Sequence, residues 1–554
     1  MKRTAFFMLD KIRIIPLGGL GEVGKNMTVI EYNDQMFIID AGIIFPDEDM
    51  YGVDVIIPDF EYVRKNKHKI KALFVTHGHE DHIGGLPYFM KEFANVPVYA
   101  TKLTAGMITN KLKYHKIDRT VIKVIKSADE VFKFGKVRVS FFRTIHSIPD
   151  SVGVVVETPI GNVVHTGDFK IDYHPVDKKY IDFQRLGEIG KQGVKVLLSD
   201  STNSEKEGVS VPETTVAVNL EKEIFQATGR TVVATFASSL HRVNSIVKIC
   251  EKLNKKLVIV GKSMEKNIKL AIQLGHIKAK EETIVSAKEA NKYPKEKLLI
   301  LATGAQGEVT AAVNRLSQDE HKIIKLEEND TVIFSSGVIP GNEKSVGSLI
   351  NNLLKKQVNV VQKKEIHTSG HGYQEEQKVL LSILRPEFFI PCHGEYRMLV
   401  KHKETAKQVG IKEKNVFVIE NGNVVEVTKD GASILEEKVQ AGPVLVDNSG
   451  LGDVNVNIMR DRRRMAEQGL VVVFAKVFTK EKRVSVKFEL KGIAARVDKN
   501  QLNKELAEAV KKRLSSDKKE GTLRRALIED FIDVFYKHIK RRPLIVPYID
   551  FVRE

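Results

Sequence analysis

Short apolar runs alternate with polar or glycine-rich turns from Ile12 to about Asp200, and amphipathic stretches lie between some of them. β-Branched and aromatic runs of this length are typical of strands, and the amphipathic stretches are typical of helices. The pattern therefore predicts a layered α/β domain. Its clearest strands are predicted at Phe37–Ile39, Ala72–Thr76, Val137–Arg143, Asn162–His165 and Val194–Leu198.

The pattern of apolar and polar residues changes between about residues 205 and 365. Strand-like runs there alternate with helix-like stretches, as in parallel βαβ units. We expect a second, inserted α/β domain here. Its strands are predicted at Thr231–Ala234, Lys256–Val260, Leu298–Leu301 and Thr331–Phe334. Beyond about Glu436, glycine-bearing turns precede two predicted helices, Gln501–Leu514 and Leu523–Ile539, which indicate a separate C-terminal module.

Length and composition narrow the class of protein. A chain of 554 residues is too long to fold around a single hydrophobic core, so several domains are expected. No apolar segment is long enough to cross a bilayer. The N-terminal apolar run ends at Asp10, too early for an export signal, and the two cysteines, Cys250 and Cys392, cannot build a disulfide framework or a thiolate zinc site. We therefore expect a cytoplasmic protein. The formal charge of +17 favours nucleic acid, although a basic surface without a ligand remains an alternative.

One short segment carries a strong chemical signal. The stretch Thr76–Gly85 follows a predicted strand, precedes the helix-like Leu86–Phe93 and contains the pattern His-x-His-x-Asp-His. Side chains that leave a tight loop at a strand end can converge. Imidazole and carboxylate together suit zinc or manganese. The segment therefore predicts a metal site.

Three other predicted strands also lead into candidate ligands, namely His146, Asp168 and His393. In α/β folds, functional sites gather beyond the carboxyl ends of strands, so these side chains can meet the His-rich segment. The candidate ligands are His77, His79, Asp81, His82, His146, Asp168 and His393. Seven ligands suit two metal ions, with Asp168 able to bridge them. The alternative is that these are separate surface or core residues.

The sequence resembles bacterial ribonuclease J, a family with the metallo-β-lactamase fold and a β-CASP insertion. The resemblance covers nearly the whole chain. It rests on the segments Leu17–Asn26, Asp40–Gly42, His77–Gly85, His146–Pro149, His165–Lys170, Leu198–Asn203, Thr235–Ser238, His367–Gly372, Pro391–Met398 and Lys540–Pro543.

The resemblance implies an αββα sandwich of the metallo-β-lactamase type, with an inserted β-CASP α/β domain and a small α+β C-terminal domain. The domains implied are 1–208 and 366–450 for the two parts of the metallo-β-lactamase domain, 209–365 for the β-CASP domain and 451–554 for a C-terminal domain for assembly or an RNA channel.

For the site, the resemblance implies that His77, His79, His146 and Asp168 hold one ion, and that Asp81, His82, Asp168 and His393 hold the other. The ions implied are zinc, with manganese as the alternative, and Asp40 would lie behind the ligands. His371 is the candidate general acid, and Asp81 or a metal-bound water could substitute for it. The residues implied to hold the 5′ phosphate and its nucleotide are Phe236, Ala237, Ser238, His367, Thr368, Ser369, Gly370 and His371.

The implied function is hydrolysis of single-stranded RNA, as a 5′-to-3′ exonuclease that prefers a 5′ monophosphate and also cuts internally, in mRNA turnover and rRNA maturation. The resemblance also implies a homodimer or higher oligomer, or a hetero-oligomer with a paralogue. Two alternatives remain open: a small-molecule esterase of the same fold, and a weakly active or non-catalytic RNA-binding subunit. Three departures from the family pattern stand at Tyr373, Ser239 and the stretch 490–497.

Overall fold

The chain forms two compact units. The first comprises the residues up to Ile44 and Ile57–Pro443, and the second comprises Phe45–Ile56 and the residues from Val444 onward. The segment Phe45–Ile56 thus belongs with the C-terminal part of the chain, although the sequence pattern did not separate it from its neighbours. The computed structural model describes residues 10–47, 49–118, 120–308, 310–339, 342–447, 450–451, 454–478, 481, 483–493, 498–514 and 520–552.

Two β-sheets pack face to face in the first unit, and their apolar side chains form one buried cluster. The eight-stranded sheet has the spatial order Ala432–Lys438, Asn423–Val427, Ile12–Gly18, Met27–Tyr32, Gln35–Ile39, Ile70–Phe74, Val98–Thr101 and Ile122–Ile125. The six-stranded sheet has the order Phe388–Cys392, Val194–Asp200, Gly161–His165, Val152–Thr158, Val137–Arg143 and Phe132–Phe134.

Helices accompany both sheets. A second buried cluster joins the outer face of the six-stranded sheet to helices Phe183–Gln192, Gln374–Leu384 and Tyr396–Gln408. Helix Glu61–Lys65 precedes strand Ile70–Phe74 of the eight-stranded sheet, and the helices that follow strands of this sheet are Glu80–Ile83, Leu86–Glu92 and Lys102–Tyr114. This layering confirms the predicted αββα sandwich.

Most predicted strands in this part have ends within two residues of those observed, and two differences matter for the site. The strand predicted to reach Thr76 ends at Phe74, because the Thr76 backbone N–H donates to Asp40 Oδ1 at 2.8 Å. The strand predicted to end at Leu198 continues to Asp200, because it stays paired with Phe388–Cys392. Both predicted ends were therefore wrong.

The inserted region forms a third sheet of six parallel strands, as predicted. Its order is Ile284–Val285, Lys256–Val260, Leu298–Ala302, Thr231–Ala234, Thr331–Phe334 and Asn359–Val361. Its helices are Glu213–Gln226, Leu240–Lys252, Lys262–Gln273, Ala312–Ser317 and Glu343–Lys355. The strands that flank it in sequence, Val194–Asp200 and Phe388–Cys392, are direct neighbours in the six-stranded sheet. The third sheet is therefore an insertion between two adjacent strands.

The second unit contains a small sheet and a sheet-and-helix layer. The small sheet has the order Gly450–Leu451, Val444–Asp447 and Val55–Ile57. Helix Val456–Gln468 leads into the layer, whose strands have the order Arg483–Lys491, Leu470–Phe478 and Leu544–Val552. Helices Lys499–Leu514 and Glu520–Ile539 pack on one face of this sheet, which confirms the predicted C-terminal helices.

The remaining short elements are the 3₁₀ helices Lys67–Lys69, Ala290–Lys292, Lys295–Lys297, Lys364–Ile366 and Glu413–Asn415. Among the described residues, no helix combines the length and the apolar character that crossing a bilayer requires. The domain boundaries at 208/209, 365/366 and 450/451 stay a prediction.

Candidate metal centre

The His-rich segment leaves the eight-stranded sheet after Ile70–Phe74 and turns into the single-turn helix Glu80–Ile83. Its backbone packs tightly against neighbouring loops. A Cβ on Gly42 would lie 1.6 Å from the Asp81 carbonyl oxygen, so only glycine permits this approach. The Asn26 backbone N–H donates to the same carbonyl at 3.0 Å. This packing fixes the direction in which the short helix presents its side chains.

A first group of ligand atoms forms around one point, from His77, His79, His146 and Asp168, all within 4.8 Å of one another. His79 Nδ1 lies 3.1 Å from His77 Nε2 and 3.0 Å from His146 Nε2. Asp168 Oδ2 lies 3.4 Å from His77 Nε2. Ligands in a tetrahedral zinc site are spaced about 3.3 Å apart, given metal–nitrogen distances of about 2.0–2.1 Å. The first group therefore has the size and the donor set of a metal site.

A second group consists of Asp81, His82, Asp168 and His393. His82 Nε2 lies 3.4 Å from Asp81 Oδ2 and 3.3 Å from Asp168 Oδ2. His393 Nε2 lies 3.3 Å from Asp81 Oδ2. Asp168 Oδ2 thus belongs to both groups, which is the position of a carboxylate that bridges two cations. The structure brings all seven predicted ligands together.

Hydrogen bonds orient the histidines from behind. Thr76 Oγ1 donates to Asp40 Oδ2 at 2.8 Å and lies 3.0 Å from His77 Nδ1, from which it accepts. His82 Nδ1 lies 2.7 Å from the same Asp40 oxygen, and His146 Nδ1 donates to the Gly370 carbonyl at 2.7 Å. Because Nδ1 of His77 and of His146 donates outward, the Nε2 atoms of these two residues keep their lone pairs for the centre of the first group.

Burial sets the charge of the first group. It is the largest cause that lowers the pKa of His77 and of His146 well below the usual value. It also lowers the pKa of His79 to about 4. Histidine binds metals as neutral imidazole, so these three side chains are in the binding form at neutral pH.

The second group contains two carboxylates, from Asp81 and Asp168. Burial alone would raise the pKa of Asp81 and of Asp168, but the neighbouring histidines hold both well below the usual range. Burial likewise opposes protonation of His393, yet Asp168 leads the groups that raise its pKa to about 10. His393 Nε2 is buried and has no hydrogen-bond partner among the described residues. A divalent cation fits here, because it would replace the proton and satisfy that nitrogen.

A further acid–imidazole pair borders the two groups. His371 Nδ1 lies 2.7 Å from Asp200 Oδ2 and 3.9 Å from Asp168 Oδ2. Burial lowers the pKa of His371, but these two carboxylates outweigh it and raise the pKa above the usual value. The two carboxylates therefore favour the protonated form of the His371 imidazole, beside the candidate ligands.

Sequence reasoning assigned no role to Asp200. The predicted strand stopped at Leu198, whereas the observed strand Val194–Asp200 delivers this carboxylate at its carboxyl end. The strand-end pattern that identified Asp168 would have identified Asp200 as well, had the polar residue Ser199 been included in the strand.

Four family models match successive parts of the chain. They are the Metallo-beta-lactamase superfamily at residues 20–185, the Ribonuclease J beta-CASP domain at 228–353, the Zn-dependent metallo-hydrolase RNA specificity domain at 358–419 and the Ribonuclease J C-terminal domain at 457–550. The first model includes six of the candidate ligands, and the third includes His371 and His393.

Named relatives agree with these models. Ribonuclease J of Synechocystis sp. is 45% identical over 84% of this chain and 72% of its own length. Ribonuclease J 1 of Streptococcus pyogenes is 43% identical over 84% of this chain and 83% of its own. Ribonuclease J 2 of Staphylococcus aureus is 36% identical over 97% and 98%. The chain belongs to the ribonuclease J family. It is therefore a metal-dependent hydrolase of the ribonuclease class.

A solved structure of a protein of unknown function from Enterococcus faecalis V583 resembles this ribonuclease J family member in fold. The TM-score is 0.53 at 17% sequence identity, and the match covers 75% of this chain and 100% of the Enterococcus faecalis chain. At this level of identity the likeness concerns the fold alone.

In this ribonuclease J family member, the loop 367–371 lies beside the first group. The Gly370 carbonyl accepts the hydrogen bond from His146, and a Cβ on Gly370 would lie 2.5 Å from His146 Cε1. Only glycine therefore fits at this position. Asn203 Nδ2 donates to Ser369 Oγ at 2.7 Å and to the His371 carbonyl at 3.0 Å. The loop is thus tied both to a candidate ligand and to the segment after Asp200.

The other segment predicted to hold the nucleotide lies elsewhere in the inserted domain. Residues 236–238 connect strand Thr231–Ala234 to helix Leu240–Lys252, and the Ala237 carbonyl accepts from Asn267 Nδ2. Within the described chain, no hydrogen bond or ion pair joins these residues to the candidate ligands. The loop 367–371 is brought to the metal centre, whereas the placement of Phe236, Ala237 and Ser238 at a nucleotide stays a prediction.

The three positions that depart from the family pattern lie in different parts of the structure. Tyr373 caps helix Gln374–Leu384, and Lys206 Nζ lies 5.2 Å from the centre of its ring. Ser239 is the residue before helix Leu240–Lys252. In the stretch 490–497, Leu490 is part of strand Arg483–Lys491, and residues 494–497 lie outside the described residues.

A buried ion pair holds the start of the loop 367–371. Arg242 forms two hydrogen bonds with the Glu213 carboxylate, and its Nη1 donates to the Ser335 carbonyl at 3.0 Å and to the Ile366 carbonyl at 3.2 Å. Burial would raise the pKa of Glu213, but Arg242 holds it below the usual value. The inserted domain therefore contacts the start of the loop through this guanidinium and through the Ser335 hydroxyl, which donates to the Ile366 carbonyl at 2.8 Å.

We expect Arg242→Met to lower the free energy of unfolding by about 3–5 kcal/mol, because it leaves the Glu213 carboxylate buried without its partner. Urea denaturation followed by circular dichroism measures this loss. Arg143→Met, at an exposed position, is the matched control and should change stability by less than about 0.5 kcal/mol. Equal stability of the two variants would contradict a structural role for the ion pair.

Proposed function

We propose that this chain hydrolyses single-stranded RNA from the 5′ end, prefers a 5′ monophosphate and also cuts internally. The observation that carries the proposal is the convergence of seven imidazole and carboxylate side chains into two groups that share Asp168 Oδ2. Phosphodiester hydrolysis is one of the reactions that two adjacent cations promote, because they stabilise both the attacking and the leaving oxygen. The formal charge of +17 favours a polyanionic substrate.

Two divalent cations, zinc in preference to manganese, would be held by the first and second groups. When bound, they would supply the Lewis acidity that activates water near neutral pH and offsets charge on the phosphodiester. The chain's own contribution is orientation. Asp40 fixes the outward nitrogens of His77, through Thr76, and of His82, so the ligand atoms stay aligned while substrate binds.

His371 is the proposed general acid. Asp200 accepts from His371 Nδ1 and keeps the proton on Nε2 available to the departing 3′ oxygen. Asp81 is a weaker candidate for this role, because its pKa lies well below the usual range and it therefore holds no proton at neutral pH. The charges around the two residues thus favour His371 as the donor and Asp81 as a ligand.

A preference for the 5′ end would come from the loop 367–371. Its Gly370 carbonyl contacts His146, and Thr368 and Ser369 line a pocket together with His146 and Ser147. The Ser147 and Ser369 hydroxyls suit a terminal phosphate, whereas the Thr368 hydroxyl donates to the Val211 carbonyl at 2.7 Å. A phosphate held here would set the distance from the chain end to the metal centre and release one nucleotide at each cycle.

The biological setting follows from the family alone. Roles in mRNA turnover and rRNA maturation, the cytoplasmic location and the homo- or hetero-oligomer stay predictions.

The proposal is tested with one labelled RNA that carries either a 5′ monophosphate or a 5′ triphosphate. We expect mononucleotides from the monophosphorylated RNA, formed at least about tenfold faster than from the triphosphorylated RNA, and internal fragments from both. Chelation with EDTA should stop both reactions. Equal release of mononucleotides from the two RNAs would refute the end preference, and turnover that survives chelation would refute the metal-dependent mechanism.

A further inference from the structure

One face of the C-terminal sheet is exposed and carries aromatic rings. Along strand Leu470–Phe478, buried and exposed residues alternate, and the buried ones pack on the two C-terminal helices. On the opposite face, Phe474 is 46% exposed and Tyr548 is 62% exposed. These two residues are direct partners in neighbouring strands, with ring centroids 6.2 Å apart. The sheet thus presents a pair of rings to solvent.

A third ring, with a cation, extends this surface. Phe478 lies on the same face of the strand as Phe474, and the Arg483 guanidinium lies 4.0 Å above the centre of the Phe478 ring. Arg483 also pairs with Glu481 at 2.9 Å. Aromatic rings on an open sheet are a common platform on which single-stranded RNA stacks its bases, and an arginine can stack in the same way.

The charges on this face suit a polyanion. Lys476, Lys487 and Lys491 are exposed on it, and none of them forms an ion pair with a described carboxylate. Two acidic residues, Glu489 and Asp550, share the face, so the basic residues outnumber them. Lysine is depleted from protein–protein interfaces, whereas lysines among aromatic rings are typical of single-strand binding.

We infer that this face, formed by Phe474, Phe478, Tyr548, Lys476, Arg483 and Lys487, binds single-stranded RNA by base stacking and phosphate contacts. The choice of RNA rests on the proposed function. The inference adds a binding site that uses none of the residues of the metal centre. On this inference, the C-terminal sheet increases the affinity for long substrates and takes no part in the chemical step.

The test uses the full-length protein, a fluorescent single-stranded RNA of about 20 nucleotides with phosphorothioate linkages that slow hydrolysis, and fluorescence anisotropy. Each ring that stacks on a base contributes about 1–3 kcal/mol, so Phe474→Ala with Tyr548→Ala should raise Kd by at least about 25-fold. Phe225→Ala removes an exposed ring from the first unit, 74% exposed, and should leave Kd unchanged. Metal-dependent hydrolysis of bis(p-nitrophenyl) phosphate should be equal in all three proteins.

A second variant keeps the test independent of the rings. Lys476→Ala with Lys487→Ala should lower the slope of log Kd against log salt by about 0.7 for each phosphate that the side chains no longer neutralise. Unchanged Kd in both double variants would overturn the inference. A smaller mass in sedimentation with unchanged RNA binding would also overturn it, because the face would then bind a second copy of the chain. Loss of catalysis in the unmodified protein, with the Kd differences retained, would instead reject the proposed function.

Discussion

Replacing Asp168 by alanine is expected to remove both cations and to lower RNA turnover by at least roughly a thousandfold. The reason is that Asp168 Oδ2 lies 3.4 Å from His77 Nε2 in one group and 3.3 Å from His82 Nε2 in the other. A single substitution thus takes a ligand from two sites at once, and metal-assisted hydrolysis depends on both. Elemental analysis after dialysis gives the metal content, and initial rates on labelled RNA give the turnover.

Single-group variants sharpen this experiment. His77→Ala affects only the first group and His393→Ala only the second, so each should retain about half of the metal that the unmodified protein binds. Asp430→Asn, at an exposed position, is the charge-matched control and should retain all of it. Full metal content in Asp168→Ala would show that the shared carboxylate is not a ligand.

The candidate ligands could be predicted from sequence because their signals are local. The segment His77–His82 places four of them within one turn at a strand end, and His146, Asp168 and His393 each follow a strand by a few residues. The strands before His146, Asp168 and His393 all end on one edge of the six-stranded sheet, and the strand before His77 ends close by in the eight-stranded sheet, so a position at a strand end predicts a place in the fold.

The residues that orient the site depend on packing between distant parts of the chain. Asp200 contacts His371 because strands Val194–Asp200 and Phe388–Cys392 pair with each other, although the whole inserted domain lies between them in sequence. The Arg242 side chain is buried, and its Nη1 donates to the carbonyl of Ile366, 124 residues further along the chain. Apolar periodicity reports which face of an element is buried, but it does not identify a buried charge or its partner.

The same limit applies to the segment Phe45–Ile56. It sits between two strands of the first unit in sequence, and its composition resembles that of any surface loop. Its contacts belong to the second unit: the Asp54 backbone N–H donates to the Val446 carbonyl at 2.8 Å, and Arg462 donates to the Tyr51 carbonyl at 3.1 Å. Backbone hydrogen bonds of this kind depend on the fold, and the pattern of apolar and polar residues does not predict them.

Replacing His371 by alanine is expected to leave the metal content unchanged and to lower kcat on 5′-monophosphorylated RNA by about 10²–10⁴-fold. That range is the usual contribution of a positioned general acid. The imidazole lies outside the two proposed ligand groups. It forms a third cluster of potential ligand atoms with Asp168, Asp200 and His393, and those three side chains would remain in the variant. Metal analysis and single-turnover rates measure the two effects separately. His68→Ala, at an exposed histidine, is the control and should change neither.

The pH profile distinguishes a proton donor from a residue that only shapes the site. A general acid must be protonated, so kcat should fall as the pH rises through the pKa of His371. Asp200 and Asp168 raise that pKa against the effect of burial, which places the fall at higher pH than for an ordinary histidine. Asp200→Asn removes one of these two charges and should move the fall to lower pH, and His371→Ala should abolish it. An alkaline limb that is identical in all three proteins would assign the proton to another group and leave His371 as a binding residue.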